Sequence, residues 1–185
     1  EVLTQNGEFI MMLHIPAVLS SQQLSEIRQH IIDQPIWISG QKSAGAQAQK
    51  IKTNLQIDPQ HPIYQQLNQL IQPHLKQHPL YQSFCLPKHL LPLMFNCYQD
   101  GGEYGNHVDS AIQYSAQNQQ AVRTDLSLTI FLSNPDEYGG GELIIEDTYG
   151  SHEVKLDAGD AIIYPATSLH RVEPVTSGQR LAAFS

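Results

Sequence analysis

From about Leu90 to its last residue the chain is a succession of short strand-like runs parted by turn-forming residues, and this rhythm constrains the fold more than any other feature. Leu91, Leu93, Phe95 and Cys97 fall on one face, and Pro92, Met94, Asn96 and Tyr98 on the other, as the period of two in an extended chain requires. Further runs of strand character cover 125–133, 142–147, 152–156, 160–164, 169–175 and 180–184. Between them stand DGG (100–102), NPDEYGGG (134–141), TYG (148–150), DAGD (157–160) and TSG (176–178), whose Gly, Asn, Asp and Pro suit tight turns. Gly139, Gly140 and Gly141 read as a turn with positive φ, because they do not link a strand to a helix as a phosphate-binding loop does.

The first half is patterned differently. Ser20 and Gln23 form a capping-box pair, and Leu24, Ile27 and Ile31 then recur at helical spacing, which predicts a helix over 21–33, ended before Pro35. A second helix opens at Pro62, carries Ile63, Leu67, Leu70 and Ile71 on one face, and is expected to bend or end at Pro73. The stretch 41–50, QKSAGAQAQK, reads as a polar, mobile loop. Helices first and many short strands afterwards imply a mainly β fold with N-terminal α-helices: a jelly roll with the helices packed on one outer face. A chain of 185 residues fits a single domain of this kind, one core of that size burying about 70% of the unfolded surface. The strand-like run that reaches Ser185 would leave a sheet edge for a following segment to cover.

Charge and cysteine usage exclude some classes of function. Ten Lys and Arg against 18 Asp and Glu give a formal charge of -8, which opposes general affinity for nucleic acid or anionic lipid. Cys85 and Cys97 stand apart without a CxxC spacing, so no disulfide framework or zinc knuckle is indicated and a cytoplasmic setting fits. The first ten residues lack the basic start and apolar run of a signal peptide, and the apolar stretch from Leu90 to Phe95 is short and broken by Pro92, so no membrane span is expected.

The segment EYGNHVDSA places His107 and Asp109 two apart, a spacing that puts both side chains on one face of an extended strand. Such a pair alone is more often a solvated surface couple than a metal site. His170, in YPATSLHRVEPV, lies several strands downstream, where a jelly roll returns the chain to the same mouth; read singly, it is a strand histidine satisfied by the backbone. Two imidazoles and a carboxylate can fill one triangular face of an octahedron and leave three positions open, the facial triad of non-haem iron(II) oxygenases. Arg180, at the start of the last strand, could point into the barrel, where its planar fork suits a carboxylate; the alternative is a surface arginine in a turn. Arg123 and Asp125 flank Thr124 and read as a structural pair, and His152 in TYGSHEV reads as a surface histidine of a hairpin.

Taken together, His107-x-Asp109, His170 and Arg180 resemble the prolyl-4-hydroxylase-type branch of the 2-oxoglutarate dioxygenases. FNCYQDGGEYGNHVD, RTDLSLTIFLSNPDEYGGGEL and AGDAIIYPATSLHRVEPVTSGQR are similar to the bacterial PKHD-type hydroxylases, as is MMLHIPAVLS near the start. The resemblance implies a double-stranded β-helix with iron(II) on His107, Asp109 and His170. It implies 2-oxoglutarate bound to the metal by its 2-oxo acid end, with Arg180 on its far carboxylate. Tyr98 matches a position from which a tyrosine hydroxyl contacts the cosubstrate, with a core aromatic as the alternative reading. Tyr104 lines the substrate entrance or merely orders its loop. O2 is then the oxidant, ascorbate a helper, succinate and carbon dioxide the coproducts, and the substrate a small molecule or a peptide or protein side chain. On this reading residues 1–10 are an extension and 11–185 a single dioxygenase domain without the family's C-terminal segment. Two other readings stay open: a cupin-like metal-binding isomerase, and a non-catalytic iron or oxygen sensor. A halogenase is disfavoured, because Asp109 occupies the position such enzymes leave to halide.

Overall fold

A computed structural model describes residues 2–5, 8–32, 34–43, 50–114, 120–148 and 150–185. The first helix, α1 (Ser21–Ile31), begins as the capping pair requires: Ser20 N–H donates to Gln23 Oε1 (2.7 Å), and Gln23 N–H donates to Ser20 Oγ (3.4 Å). It ends at Ile31, two residues before the expected 33, and Asp33 lies outside the described residues. The second helix, α2 (Pro62–Gln77), runs through Pro73 instead of stopping there. Ile63 and Leu67 before the proline and Ile71 and Leu75 around it are all buried, and this anchorage outweighs the hydrogen bond lost at Pro73, a loss of about 3 kcal/mol in a helix interior. A further helix, α3 (Pro79–Cys85), escaped the sequence reading because it is too short to show periodicity. Of the polar loop expected at 41–50, residues 44–49 lie outside the described residues, and Gly40–Ser43 forms a 3-10 turn.

The large sheet is eight-stranded. Its order is β1 (Val2–Gln5), β2 (Glu8–Ile15), β13 (Ala161–Pro165), β9 (Leu126–Phe131), β16 (Arg180–Phe184), β5 (Met94–Tyr98), β4 (Leu55–Ile57), β3 (Trp37–Ser39). Facing it is a four-stranded sheet, ordered β12 (Gly150–Val154), β11 (Leu143–Asp147), β14 (Leu169–Val172), β6 (Tyr104–His107). Among the described residues there are also two two-stranded sheets, β10 (Tyr138–Gly140) with the distant β15 (Val175–Gly178), and β7 (Ile112–Tyr114) with β8 (Ala121–Arg123). This is the expected jelly roll. The extension expected at 1–10 supplies β1 and the start of β2, so a strand of the large sheet runs across the boundary at Met11.

Alternation along each central strand divides the interior in two. Phe95, Cys97, Ile130, Ile163 and Leu181 face the helices and join Leu24, Ile27, Leu67 and Ile71 in one apolar cluster. Tyr98, Phe131, Ile162 and Tyr164 point the other way and meet Leu143, Ile145 and Val172 of the smaller sheet. Of the expected strands, 180–184 is reproduced to the residue, whereas the run from Leu90 becomes strand only at Met94. The run 169–175 splits between two sheets, its two strands separated by Glu173 and Pro174; proline has no N–H to continue a ladder. His152 is a correction: it is buried, with Nε2 3.1 Å from Asp147 Oδ1, because β12 turns it inward beside β11. Arg123 and Asp125 form the expected exposed pair at 2.8 Å.

Candidate active site

β14 lies antiparallel to β6 with His170 opposite His107, and this register brings the two imidazoles together, their centroids 4.1 Å apart. Asp109 lies just beyond the end of β6, where its N–H donates to the Ala166 carbonyl (3.2 Å). Asp109 Oδ1 is then 3.9 Å from His107 Nε2, and Oδ2 is 3.7 Å from His170 Nε2. All three ligand atoms fall within 4.8 Å of one another. Tertiary register, rather than a continuous strand through 107–109, thus unites the pair.

The protonation pattern leaves these atoms open to a metal. His107 Nδ1 lies 2.7 Å from the Gly105 carbonyl and His170 Nδ1 3.0 Å from that of Ser168, so each Nδ1–H donates to backbone and each Nε2 is the nitrogen that faces Asp109. Burial first, and the neighbouring His170 ring second, push the His107 pKa down to about 4, so the ring is neutral at neutral pH. Ser127, on β9, donates its hydroxyl to Asp109 Oδ2. Two imidazoles and a carboxylate are the donor set that suits iron(II).

The same cavity, about 50 Å³, is lined from the large sheet by Asn96, Tyr98, Thr129 and Arg180. Arg180 is 1% exposed and its Nε has no hydrogen-bond partner. A buried cation with an unused donor is costly, so its presence points to an anion that it receives. It stands opposite Tyr98 in the β16–β5 ladder, its guanidinium carbon 5.4 Å from the Tyr98 ring and 5.2 Å from that of Phe131. Gly141 gives it room: at φ +69° its α-carbon approaches so closely that an added Cβ would lie 3.1 Å from Arg180 Cδ. Burial pushes the Tyr98 phenol up to about 12, against the pull of Arg180, so it stays a neutral donor. Tyr104 stacks on His107 at 3.5 Å and 20°.

Sequence reasoning named His107, Asp109, His170, Arg180, Tyr98 and Tyr104, and all six line this one cavity. It missed Lys52, Asn96, Ser127, Thr129 and Tyr164. Ser127 and Thr129 alternate with Leu128 and Ile130, a polar face on a central strand that could have been read as cavity-lining. Lys52, a single charged residue in IKTNLQI, carries no such signal. Among the described residues no helix is long and apolar enough to cross a membrane.

The fold and this cavity define a class. Residues 93–185 match the model of the 2OG-Fe(II) oxygenase superfamily, and the chain belongs to that superfamily. Within it the relatives are PKHD-type hydroxylases: one from Hyphomonas neptunium is 53% identical and one from Aliarcobacter butzleri 49% identical, each over 94% of this chain and 76% of the relative. Among solved structures, a Trichoplax adhaerens prolyl hydroxylase in complex with a hypoxia inducible factor peptide fragment superposes with a TM-score of 0.67 at 14% identity, over 94% of this chain and 81% of that one. Such a likeness speaks for the double-stranded β-helix alone. The chain is accordingly a 2-oxoglutarate- and iron(II)-dependent dioxygenase of the PKHD hydroxylase type.

Proposed function

We propose that His107, Asp109 and His170 hold the iron, that Arg180 and Tyr98 hold 2-oxoglutarate, and that residues 11–185 work as one dioxygenase domain. The observation that carries this reading is the meeting, in one cavity, of a His-Asp-His cluster and a fully buried arginine with an unused donor. When bound, iron with its cosubstrate supplies the oxidising power that puts oxygen from O2 on an unactivated carbon, 2-oxoglutarate leaving as succinate and carbon dioxide.

The chain's own residues do the rest. The Gly105 and Ser168 carbonyls fix the imidazole tautomers, and the Ser127 hydroxyl orients the Asp109 carboxylate. Arg180 receives the far carboxylate of the cosubstrate in a charge-assisted pair, and Tyr98, kept protonated, donates to it. Tyr164 and Leu143 add apolar wall to the cavity, which strengthens those pairs. Tyr104, packed on His107, forms a wall of the substrate side.

The substrate is a small molecule or a peptide or protein side chain, with ascorbate keeping the metal reduced. Two free cysteines suit a reducing cytoplasm, and the acidic chain disfavours nucleic acid as a partner. The test is anaerobic titration of the iron(II)-loaded protein with 2-oxoglutarate, following the visible charge-transfer band that chelation produces. The band is expected in wild type, with metal binding lost in His107→Ala and Asp109→Ala. Equal iron binding by wild type and His107→Ala would sink the ligand assignment. Absence of the band in iron-loaded wild type would favour the sensor or cupin-like reading.

A further inference from the structure

We propose that Tyr138 is a positioning residue: its phenolic oxygen holds the Arg180 guanidinium in place and so makes the enzyme selective for a 2-oxo acid that carries a second carboxylate. The inference rests on the assignment of Arg180 to that carboxylate, just given. Tyr138 opens β10, is 5% exposed and belongs to the same buried cluster as Tyr98 and Phe131, the two rings that lie against the guanidinium. A Cβ built on Gly141 would lie 3.0 Å from Tyr138 Cε2 and 3.1 Å from Arg180 Cδ, so the ring and the arginine stem border one small space. Burial pushes the Tyr138 pKa up, and Arg180 opposes it both by its charge and as a hydrogen-bond donor, so hydroxyl and guanidinium face each other. Oη is nevertheless enclosed without a partner at full hydrogen-bonding geometry. The contact is poised to close.

The ring itself is tied down from behind. Lys155 Nζ donates to the carbonyls of Tyr138 (3.1 Å) and Gly140 (2.8 Å), meets Glu142 Oε1 at 3.2 Å, and lies 4.3 Å from the Tyr138 ring centroid. One cation thus joins the turn after β10 to the aromatic ring at its start. A guanidinium has five N–H donors and no acceptor, and a carboxylate bound side-on takes two of them. An acceptor behind the fork then fixes its plane. A phenol supplies that acceptor without charge, because burial holds its pKa above the ordinary value and keeps it protonated at neutral pH. A carboxylate in the same place would neutralise Arg180 and weaken its hold on an incoming anion.

The experiment uses the full chain loaded with iron(II) without oxygen, titrated separately with 2-oxoglutarate and with pyruvate and read by the visible charge-transfer band. Both acids chelate through the same 2-oxo acid end, and only 2-oxoglutarate brings a carboxylate to Arg180. Tyr138→Phe removes the phenolic oxygen and keeps the ring that packs on Lys155. It should raise Kd for 2-oxoglutarate by about tenfold, the worth of one hydrogen bond to a charged group, and leave Kd for pyruvate unchanged. Added to Arg180→Met it should have no further effect, because Tyr138 acts through the arginine. The metal-free Tyr138→Phe protein should resist urea as well as wild type. A 2-oxoglutarate affinity within about twofold of wild type overturns the proposal. So does an equal loss for the two acids, or a large loss of metal-free stability, either of which would make Tyr138 a packing residue. A full loss on top of Arg180→Met overturns it as well, by separating the two residues. Failure of the underlying reading looks different: wild type would show no preference for 2-oxoglutarate over pyruvate, or Arg180→Met would keep that preference, and the inference would fall with it.

Discussion

Arg180→Met separates two demands that the fold places on one side chain. In the metal-free protein Arg180 is 1% exposed with an unpartnered Nε, a deficit of about 1–3 kcal/mol for a buried donor. The faces of Tyr98 and Phe131 return about 0.5–2 kcal/mol of it. Replacement by an unbranched apolar chain should therefore leave the stability of the metal-free protein within about 1 kcal/mol of wild type, or raise it. Binding of 2-oxoglutarate should respond in the opposite sense. Without its cation the far carboxylate is buried unpaired, a loss of about 3–5 kcal/mol, or roughly two to three and a half decades in Kd. Urea unfolding followed by circular dichroism gives the first quantity, and anaerobic titration of the iron(II) charge-transfer band gives the second. A variant that binds 2-oxoglutarate within about threefold of wild type would refute the reasoning. A large loss of metal-free stability would do so as well, since it would make Arg180 structural.

Three further outcomes follow from individual contacts. Ser127→Ala removes the hydroxyl that orients Asp109 and should weaken iron(II) binding by about 10- to 100-fold with the fold intact; metal titration decides, and an unchanged affinity refutes the role. Gly141→Ala forces a side chain into a left-handed φ of +69° and against Val175 and Arg180, so it should destabilise by at least about 1–2 kcal/mol and also weaken 2-oxoglutarate binding; urea unfolding and the same titration check both. Lys52→Met tests the buried charge through pH. Its folded value of about 8 lies below the ordinary 10.5, so the unfolded chain binds more protons between those values and the lysine's penalty disappears as pH rises through them. The stability of Lys52→Met relative to wild type should be greatest below about pH 8 and decline toward pH 10.5; a difference independent of pH across that window contradicts the assignment.

The barrel strands were legible because their periodicity is enforced by burial on both faces. Leu181 and Ala183 must meet the helix side while Arg180 and Phe184 line the cavity, and that alternation is visible in RLAAF. Strands β7 and β8 were not legible, since no residue of either is fully buried and no period-two pattern is imposed. At Pro73, where the sequence allowed a bend or an end, the helix does not end, because four buried residues of the same helix anchor it on both sides. In the site, His107, Asp109, His170 and Arg180 could be named from residue type and order. Lys52 could not, because its burial depends on a bridge to Tyr104 some fifty residues away in sequence.

The division of labour between the sheets explains why one register matters more than the rest. The His-Asp-His cluster stands on and beside β6 and β14 of the smaller sheet, and Arg180 and Tyr98 stand on β16 and β5 of the larger one. The two halves share a cavity because side chains of each strand alternate between faces. A slip of β16 by one residue against β5 would leave most backbone pairing possible, yet turn Leu181 into the cavity and Arg180 toward the apolar helices. The fold resists that slip on two counts. Burying a guanidinium among Ile27, Leu67 and Phe95 has no compensating partner there, and Gly141 leaves the space that the arginine stem needs on its own side. The pairing of Arg180 with Tyr98 is thus fixed by the same burial energetics that hold the core together, and the end of the cavity proposed to take the cosubstrate is set before any ligand arrives.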